Sequence, residues 1–91
     1  MKIKMALTKS EKILALLNQW DPAGVYKNSG DYRAYNYEAE TIAQKVRSNS
    51  KAETVEKAIR ETMDVVMDGN ELDENEVRAM AQFILATVKK K

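Results

Sequence analysis

The sequence predicts an all-α protein, a compact antiparallel bundle of four helices in a single domain, residues 1–91. Apolar residues recur at spacings of three and four along four segments, which is the period of a helix with one buried face. No stretch alternates apolar and polar residues for long enough to predict a strand. A composition of 44% apolar and 32% charged residues is typical of a globular chain, and 91 residues suffice for one hydrophobic core but not for two.

The first helix is predicted over residues 9–20. Thr8 and Glu11 have the spacing of a capping box, in which the Thr8 hydroxyl accepts from the backbone N–H of Glu11. Asp21 and Pro22 end the helix, because the residue before a proline avoids the α region. The predicted buried face consists of Ile13, Leu16, Leu17 and Trp20, with Leu14 on its flank.

Residues 22–35 are predicted to form an ordered loop rich in tyrosine. The surrounding stretch, 20–40, contains the only Trp, the only Pro and all four Tyr of the chain. A loop of about 14 residues is long for a compact domain, and loops of that length tend to be functional or disordered. Aromatic rings can pack the loop onto the bundle, and Gly24 and Gly30 permit the backbone conformations of tight turns. We therefore expect an ordered loop that is used for docking.

The second and third helices are predicted over residues 37–48 and 51–68. Val46 continues the inner face of the second helix, and Asn49 is predicted to end it in the left-handed conformation. Ser50 begins a second capping box, which places the start of the third helix directly after it. This short connection favours antiparallel neighbours.

The fourth helix is predicted over residues 74–88. Asp73 and Glu76 form a capping pair at its start. Residues 1–7 are predicted to be an extended or frayed lead-in, and residues 89–91 a solvated basic tail. The predicted inner face of the helix consists of Val77, Met80, Ala81, Ile84, Leu85 and Val88.

Charge is distributed unevenly along the chain. Residues 61–77 contain seven acids and no base, whereas residues 1–60 and 78–91 each have a net charge of +4. Such an acidic segment repels nucleic acid and attracts basic surfaces. Asp64 and Asp68 lie near the C-terminus of a predicted helix, where the helix dipole disfavours acids, and this placement indicates a basic partner. The alternative is that both are surface charges without consequence.

The residue types needed for most enzyme chemistry are missing. The chain contains no His and no Cys, so the usual base at neutral pH, the nucleophilic thiol and the common transition-metal ligands are absent. The sequence does not fit the ligand pattern of an EF-hand, either in the register that begins at Asp64 or in the register that begins at Asp68. The fourth helix opens with acids, which argues against a DNA-recognition helix. We expect neither enzymatic activity nor a cofactor, a metal or a nucleic-acid partner.

No run of residues approaches the roughly 18 apolar residues of a membrane span, and the N-terminal stretch lacks the features of a signal peptide. The absence of Cys fits a reducing compartment. We therefore expect a cytoplasmic protein without a membrane partner.

The candidate site combines the tyrosines with the acidic segment. Trp20 is predicted to anchor the core, and Asp21 to cap the turn at Pro22, so these three residues are interpreted as structural. Tyr37 is predicted to point outward, whereas Tyr26 and Tyr32 fit either the core or an interface. The predicted partner-binding residues are Tyr26, Tyr32, Tyr37, Asp64, Asp68 and Glu71.

Residues 10–68 resemble a family of small bacterial helical proteins named domain of unknown function 1871. The shared features are a helix ending in Trp20-Asp21-Pro22, a loop rich in Gly and Tyr, a helix spanning Tyr35 to Ile42 and a third helix capped by Ser. The resemblance implies a compact helical bundle without enzymatic activity. Proteins of this kind also occur as immunity partners beside secreted toxins, including those of contact-dependent growth inhibition. The fourth helix extends beyond the core of the family.

Two functions remain open at this point. The first is a cytoplasmic immunity protein that binds a basic toxin domain, with a nuclease as the expected class, since nucleases are basic where they hold phosphate. The second is a self-associating or adaptor protein with Tyr37 and Met67 on a homodimer surface. The expected oligomeric state is a monomer or a weak homodimer.

Overall fold

A computed structural model describes residues 8–67 and 71–89, and this part of the chain is all-helical, as predicted. The five helices in the described ranges are α1 (Lys9–Trp20), α2 (Val25–Ser29), α3 (Asn36–Lys45), α4 (Ala52–Met67) and α5 (Glu74–Lys89). Four of them match the predicted helices, and the short α2 lies inside the predicted loop. The predicted lead-in 1–7, the predicted site residue Asp68 and residues 90–91 of the predicted tail lie outside the described residues.

The four longer helices form a ring in which α1 contacts α3 and α5, and α4 contacts the same two helices. Cross-links between helix ends establish that neighbours run antiparallel. The Lys9 ammonium, at the start of α1, donates to the carbonyl of Val46, just after α3. The Trp20 indole, at the end of α1, donates to Glu76 at the start of α5. The end of α1, all of α2 and the starts of α3 and α5 therefore lie at one end of the bundle, hereafter the α2 end.

The core lies between the four long helices and is almost entirely apolar. Thr62 is the one polar residue among the buried side chains of the described residues. Burial of the apolar faces supplies most of the stability of such a bundle, because short helices are marginal on their own. The largest side chains that are fully buried are Tyr35, Ile13, Leu17, Ile42, Ile59, Met63 and Ile84.

The end of α3 differs from the prediction. The helix ends at Lys45, three residues earlier than predicted, and Val46 follows it in an extended conformation with φ −109° and ψ 131°. Val46 is still fully buried, as the apolar pattern predicted. The prediction of a left-handed Asn49 is wrong, because Asp21 is the one residue other than glycine with positive φ within the described ranges.

The capping boxes predicted for α4 and α5 are also altered. The hydroxyl of Ser50 accepts from the N–H of Arg47 at 2.8 Å and closes a turn before α4, which begins at Ala52. At α5, Asp73 Oδ1 accepts from the N–H of Glu76 at 3.1 Å, as predicted. The Glu76 carboxylate, however, accepts from Trp20 on another helix, so tertiary contact replaces half of this box.

No helix in the described part of the chain is both long enough and apolar enough to cross a membrane.

Candidate functional site

Asp21 organises the α2 end. It has left-handed backbone angles, φ 47° and ψ 55°, and its N–H donates to the carbonyl of Leu17 at 2.7 Å, which ends α1. Its two carboxylate oxygens accept from the N–H groups of Tyr26 and Lys27, at 3.1 and 3.0 Å. These N–H groups belong to the first turn of α2, where Gly24 occupies the cap position and has no side chain to offer. Asp21 thus caps α2 from three residues upstream of its N-cap.

Tyr35 locks Asp21 to the core. Its hydroxyl donates to Asp21 Oδ1 at 2.7 Å and accepts from the N–H of Ala23 at 3.1 Å, while its ring is fully buried. Burial and the hydrogen bond to Asp21 together raise the pKa of Tyr35 to about 12. Burial alone would raise the pKa of Asp21, but the hydrogen bonds from Tyr35 and the two backbone N–H groups outweigh it and lower that pKa.

The path of the chain around α2 depends on one proline and two glycines. Pro22 occupies the second position of a turn that the N–H of Gly24 closes on the carbonyl of Asp21 at 3.1 Å, a position that favours proline. Gly24 and Gly30 flank α2 with φ of 72° and 71°, in the left-handed region that glycine adopts without strain. Asp21 therefore contributes its carbonyl to this turn, whereas its carboxylate caps the start of α2.

The three predicted contact tyrosines are exposed around this frame. Tyr26, on α2, is 36% exposed, Tyr32 is 58% exposed and Tyr37, in the first turn of α3, is 74% exposed. Tyr32 is held by its backbone, since its carbonyl accepts from the Asn18 side chain at 2.7 Å. The Arg33 guanidinium lies 5.6 Å from the centre of the Tyr32 ring, within range of a cation–π contact. The question left open for Tyr26 and Tyr32 is thereby answered, because neither belongs to the core.

Four acids of segment 61–77 are engaged within the protein, and they are Glu61, Asp73, Glu74 and Glu76. Glu61 pairs with Lys45 at 3.6 Å. Glu74 pairs with Arg60, and the hydrogen bond from that guanidinium lowers the pKa of Glu74 despite some desolvation. Asp73 accepts from two N–H groups at the start of α5. Intramolecular contacts thus account for more of the acidic segment than its sequence indicates.

Asp64 and Glu71 remain available to a partner. Both are exposed, and neither carboxylate has a hydrogen bond or an ion pair with another described residue. Asp64 lies in the last turn of α4 and Glu71 precedes α5, so the fold brings both toward the α2 end. They lie across the bundle from α2, which connects α1 to α3, and no described hydrogen bond joins them to the three tyrosines.

Trp20, which was predicted to anchor the core, lies at the edge of the core. It is half-buried and packs against the edge of the core, and its indole N–H donates to Glu76 Oε1 at 2.9 Å. It lines an apolar groove of about 430 Å³ between α1 and α5, together with Leu16, Met80 and Phe83. Phe83 is 57% exposed and was absent from the predicted site residues. Its signal was available, because it is the only Phe and lies off the inner face of its helix.

Of the two residues that were predicted to contribute to a homodimer surface, Tyr37 is at the surface and Met67 is not. Met67 is only 7% exposed and belongs to the core, whereas Tyr37 is open to solvent. The apolar stripe of α4 turns Met67 inward along with Met63, one turn earlier. Met67 is therefore not available for contact at the surface, whereas self-association of the chain stays a prediction.

Among the described residues, no group of three or more acidic side chains is placed to hold a metal ion. No family model matches the chain, and neither a curated protein nor a solved structure was found to be similar to it.

Proposed function

We propose that this chain is an immunity protein that binds a bacterial toxin domain in the cytoplasm and blocks it by occupying its surface. The observation that carries the proposal is the display of three exposed tyrosines around a rigidly held segment at one end of the bundle. In this proposal the protein catalyses no reaction.

The tyrosines suit a binding surface because their positions are set before a partner arrives. Asp21 holds the start of α2 by two hydrogen bonds, and Asn18 holds the backbone of Tyr32. A tyrosine has few rotatable bonds and a large amphipathic ring, so its immobilisation on binding costs little entropy. Aromatic side chains of this kind are the residues that most often dominate the energy of protein interfaces.

The exposed acids indicate which class of partner the protein binds in this proposal. Asp64 and Glu71 have no described intramolecular counter-ion and lie on the rim of the same end. Exposed carboxylates of this kind raise the rate of association with a basic surface more than they raise final affinity. A nuclease toxin, which is basic where it holds phosphate, is the partner class that matches them.

The experiment begins with the gene immediately upstream, which the proposal expects to encode a secreted protein with a variable C-terminal toxin domain. That domain is purified, and its activity and binding kinetics are measured with wild-type protein and with a variant in which Tyr26, Tyr32 and Tyr37 are all changed to Ser. Affinity is expected to fall by roughly 100-fold or more, since three hot-spot aromatics at about 1 kcal/mol or more each contribute about 3 kcal/mol or more together. Val65→Ser is the matched control, because Val65 is 82% exposed on α4 and is expected to leave binding unchanged.

The contribution of charge is tested with a second variant, which combines Asp64→Lys with Glu71→Lys. The association rate is expected to fall by about tenfold at low salt, with a difference that shrinks as salt screens it. Unchanged affinity in the tyrosine variant would refute the docking surface. An association rate that is the same in the charge-reversal variant and the wild type would refute a basic partner. An unrelated metabolic gene upstream would count against the immunity role itself.

A further inference from the structure

The outward face of α5 is uncharged over its central turns. Residues 79–88 contain no charged side chain, although 32% of the whole chain is charged. Four of these residues are exposed and follow one another at helical spacing, so they form a single stripe, hereafter the α5 stripe. The stripe consists of Ala79, Gln82, Phe83 and Ala86.

We propose that the α5 stripe is the contact surface of a homodimer, in which α5 packs antiparallel against α5 of a second copy. The spacing within the stripe is self-complementary. A two-fold axis between Gln82 and Phe83 sets Ala79 level with Ala86 of the second copy, and sets Gln82 level with Phe83 of that copy. The small alanines allow two helices to approach to the usual 8–10 Å between axes.

Charge at the two ends of the helix favours this occupant and this direction. Glu74, in the first turn of α5, is already paired with Arg60. Glu76, in the same turn, has the neutral Trp20 indole as its described partner, and the last turn contains Lys89, which the two-fold axis sets level with Glu76 of the second copy. Antiparallel pairing brings the acidic start of one helix beside the basic end of the other, whereas parallel pairing would bring like charges together. The helix dipoles of an antiparallel pair also oppose each other favourably.

The groove beside the stripe provides further apolar contact. Phe83 lies on the side of α5 that faces α1, where the groove is lined by Leu16, Trp20 and Met80. In an antiparallel pair the two-fold axis places Phe83 of the second copy on this same side. The two Phe83 residues are then offset by one residue, about 1.5 Å, along the helix axis. The two rings then cover the open side of each groove, and aromatic pairs of this kind add stability beyond area burial.

Val65, the one large aliphatic side chain that is exposed among the described residues, lacks such surroundings. It is 82% exposed on α4, next to Asp64 and within one turn of Glu61. A second copy placed there would meet like charges. Val65 is therefore a matched control for Phe83.

The first test is sedimentation velocity of the full chain from about 5 to 500 μM, a range that covers weak dimers. The wild-type protein and Val65→Asp are expected to shift from monomer to dimer with the same midpoint. Phe83→Asp is expected to raise the dissociation constant at least tenfold while circular dichroism remains unchanged, because Phe83 lies outside the core. A wild-type protein that is monomeric throughout, or a Val65→Asp variant that dissociates as readily as Phe83→Asp, overturns the proposal.

The second test determines the direction and register of the helices, and it exploits the absence of Cys from the chain. Facing Cα atoms in helices 8–10 Å apart are about 4–6 Å from each other, which is within the range of a disulfide. A mixture of Ala79→Cys and Ala86→Cys proteins is expected to form a mixed disulfide dimer under mild oxidation. Ala79→Cys alone is expected to cross-link poorly, because its two thiols are offset by about 10 Å along the helix axis.

Cross-linking of Ala79→Cys with itself in preference to the mixed pair would indicate parallel helices and overturn the proposed register. The dimer proposal stands apart from the proposed immunity function. Phe83→Asp is expected to become monomeric and yet to neutralise a toxin domain through the unchanged α2 end. Loss of toxin binding in Phe83→Asp, with a monomeric wild type, would assign the stripe to the partner and overturn the homodimer.

Discussion

Replacement of Tyr35 by Phe is the most direct test of how the α2 end is held together. The substitution keeps the buried ring and removes only the hydroxyl, which donates to Asp21 Oδ1 at 2.7 Å and accepts from the N–H of Ala23 at 3.1 Å. Asp21 retains its two bonds from the backbone of α2, so the helix cap survives. The link between that cap and the core is lost.

The expected loss of stability is about 2 kcal/mol. A hydrogen bond to a charged group contributes about 1.5–3 kcal/mol, and the Ala23 N–H is left without its acceptor in a half-buried turn. For a domain of this size, each kcal/mol shifts the melting temperature by about 4–8 °C. Tyr35→Phe is therefore expected to melt roughly 8–16 °C below the wild-type protein. Tyr37→Phe is the control, because Tyr37 is 74% exposed and is expected to leave the melting temperature unchanged.

The pH dependence of the free energy of unfolding provides an independent measure of what the Tyr35 hydroxyl contributes to stability. The pKa of Tyr35 rises from 10.0 to about 12 on folding. Below pH 10 the hydroxyl is protonated in both folded and unfolded chains, so its contribution is fully present. Between pH 10 and pH 12 the unfolded chain loses the proton first, which favours unfolding. Burial of the hydroxyl is the largest cause of this shift and the hydrogen bond to Asp21 is the second, so the loss of stability above pH 10 measures both effects together.

The assay is urea unfolding of the wild type, Tyr35→Phe and Tyr37→Phe at several pH values from 7 to 11.5. The stability difference between wild type and Tyr35→Phe is expected to be constant up to about pH 10 and to shrink above it. A Tyr35→Phe variant as stable as Tyr37→Phe at pH 7 would show that the hydroxyl contributes nothing. A difference that stays constant through pH 11.5 would show that the folded pKa is not raised.

Two further substitutions test the local backbone. Gly30→Ala is expected to lower stability by about 1 kcal/mol in urea unfolding, because φ is +71° and the added Cβ meets no atom within 4 Å, so the effect is conformational alone; equal stability would mean that the turn relaxes to negative φ. Asp73→Ala is expected to cost about 1 kcal/mol in the same assay by removing the acceptor for the N–H groups of Asn75 and Glu76; Asp73→Asn, which keeps an acceptor oxygen, should recover most of it.

The parts of the fold that the sequence predicted correctly depend on local patterns. The capping box of Thr8 and Glu11 is present with both bonds, and α1 has the predicted bounds, because a helix start is determined by residues three positions apart. The burial of Val46 was likewise predicted by apolar spacing. The apolar spacing predicted which face of α3 is buried but not the residue at which the helix ends, because an extended residue after a helix can point into the same core.

The parts that could not be predicted depend on contacts between distant residues. Helix α2 has five residues, too few to show a period, and its cap comes from Asp21, which Tyr35 positions from α3. The Glu76 side chain fits a capping box by its spacing, but Trp20 provides a donor from another helix. The aromatic residues were therefore recognised as a group from the sequence, whereas which of them are buried and which are exposed depends on the tertiary fold.

The two proposed surfaces fit on one molecule without competing. Helix α5 begins at the α2 end, so an antiparallel α5 pair directs the two α2 ends of a dimer to opposite poles. If both proposals hold, each pole presents its own tyrosines and its own exposed carboxylates, and two toxin domains would bind without contacting each other. Sites that point apart cannot both engage one toxin domain, so dimerisation adds no avidity for a monomeric toxin. The role left to the dimer is to cover Phe83 and the apolar groove beside it, which the fold itself leaves open.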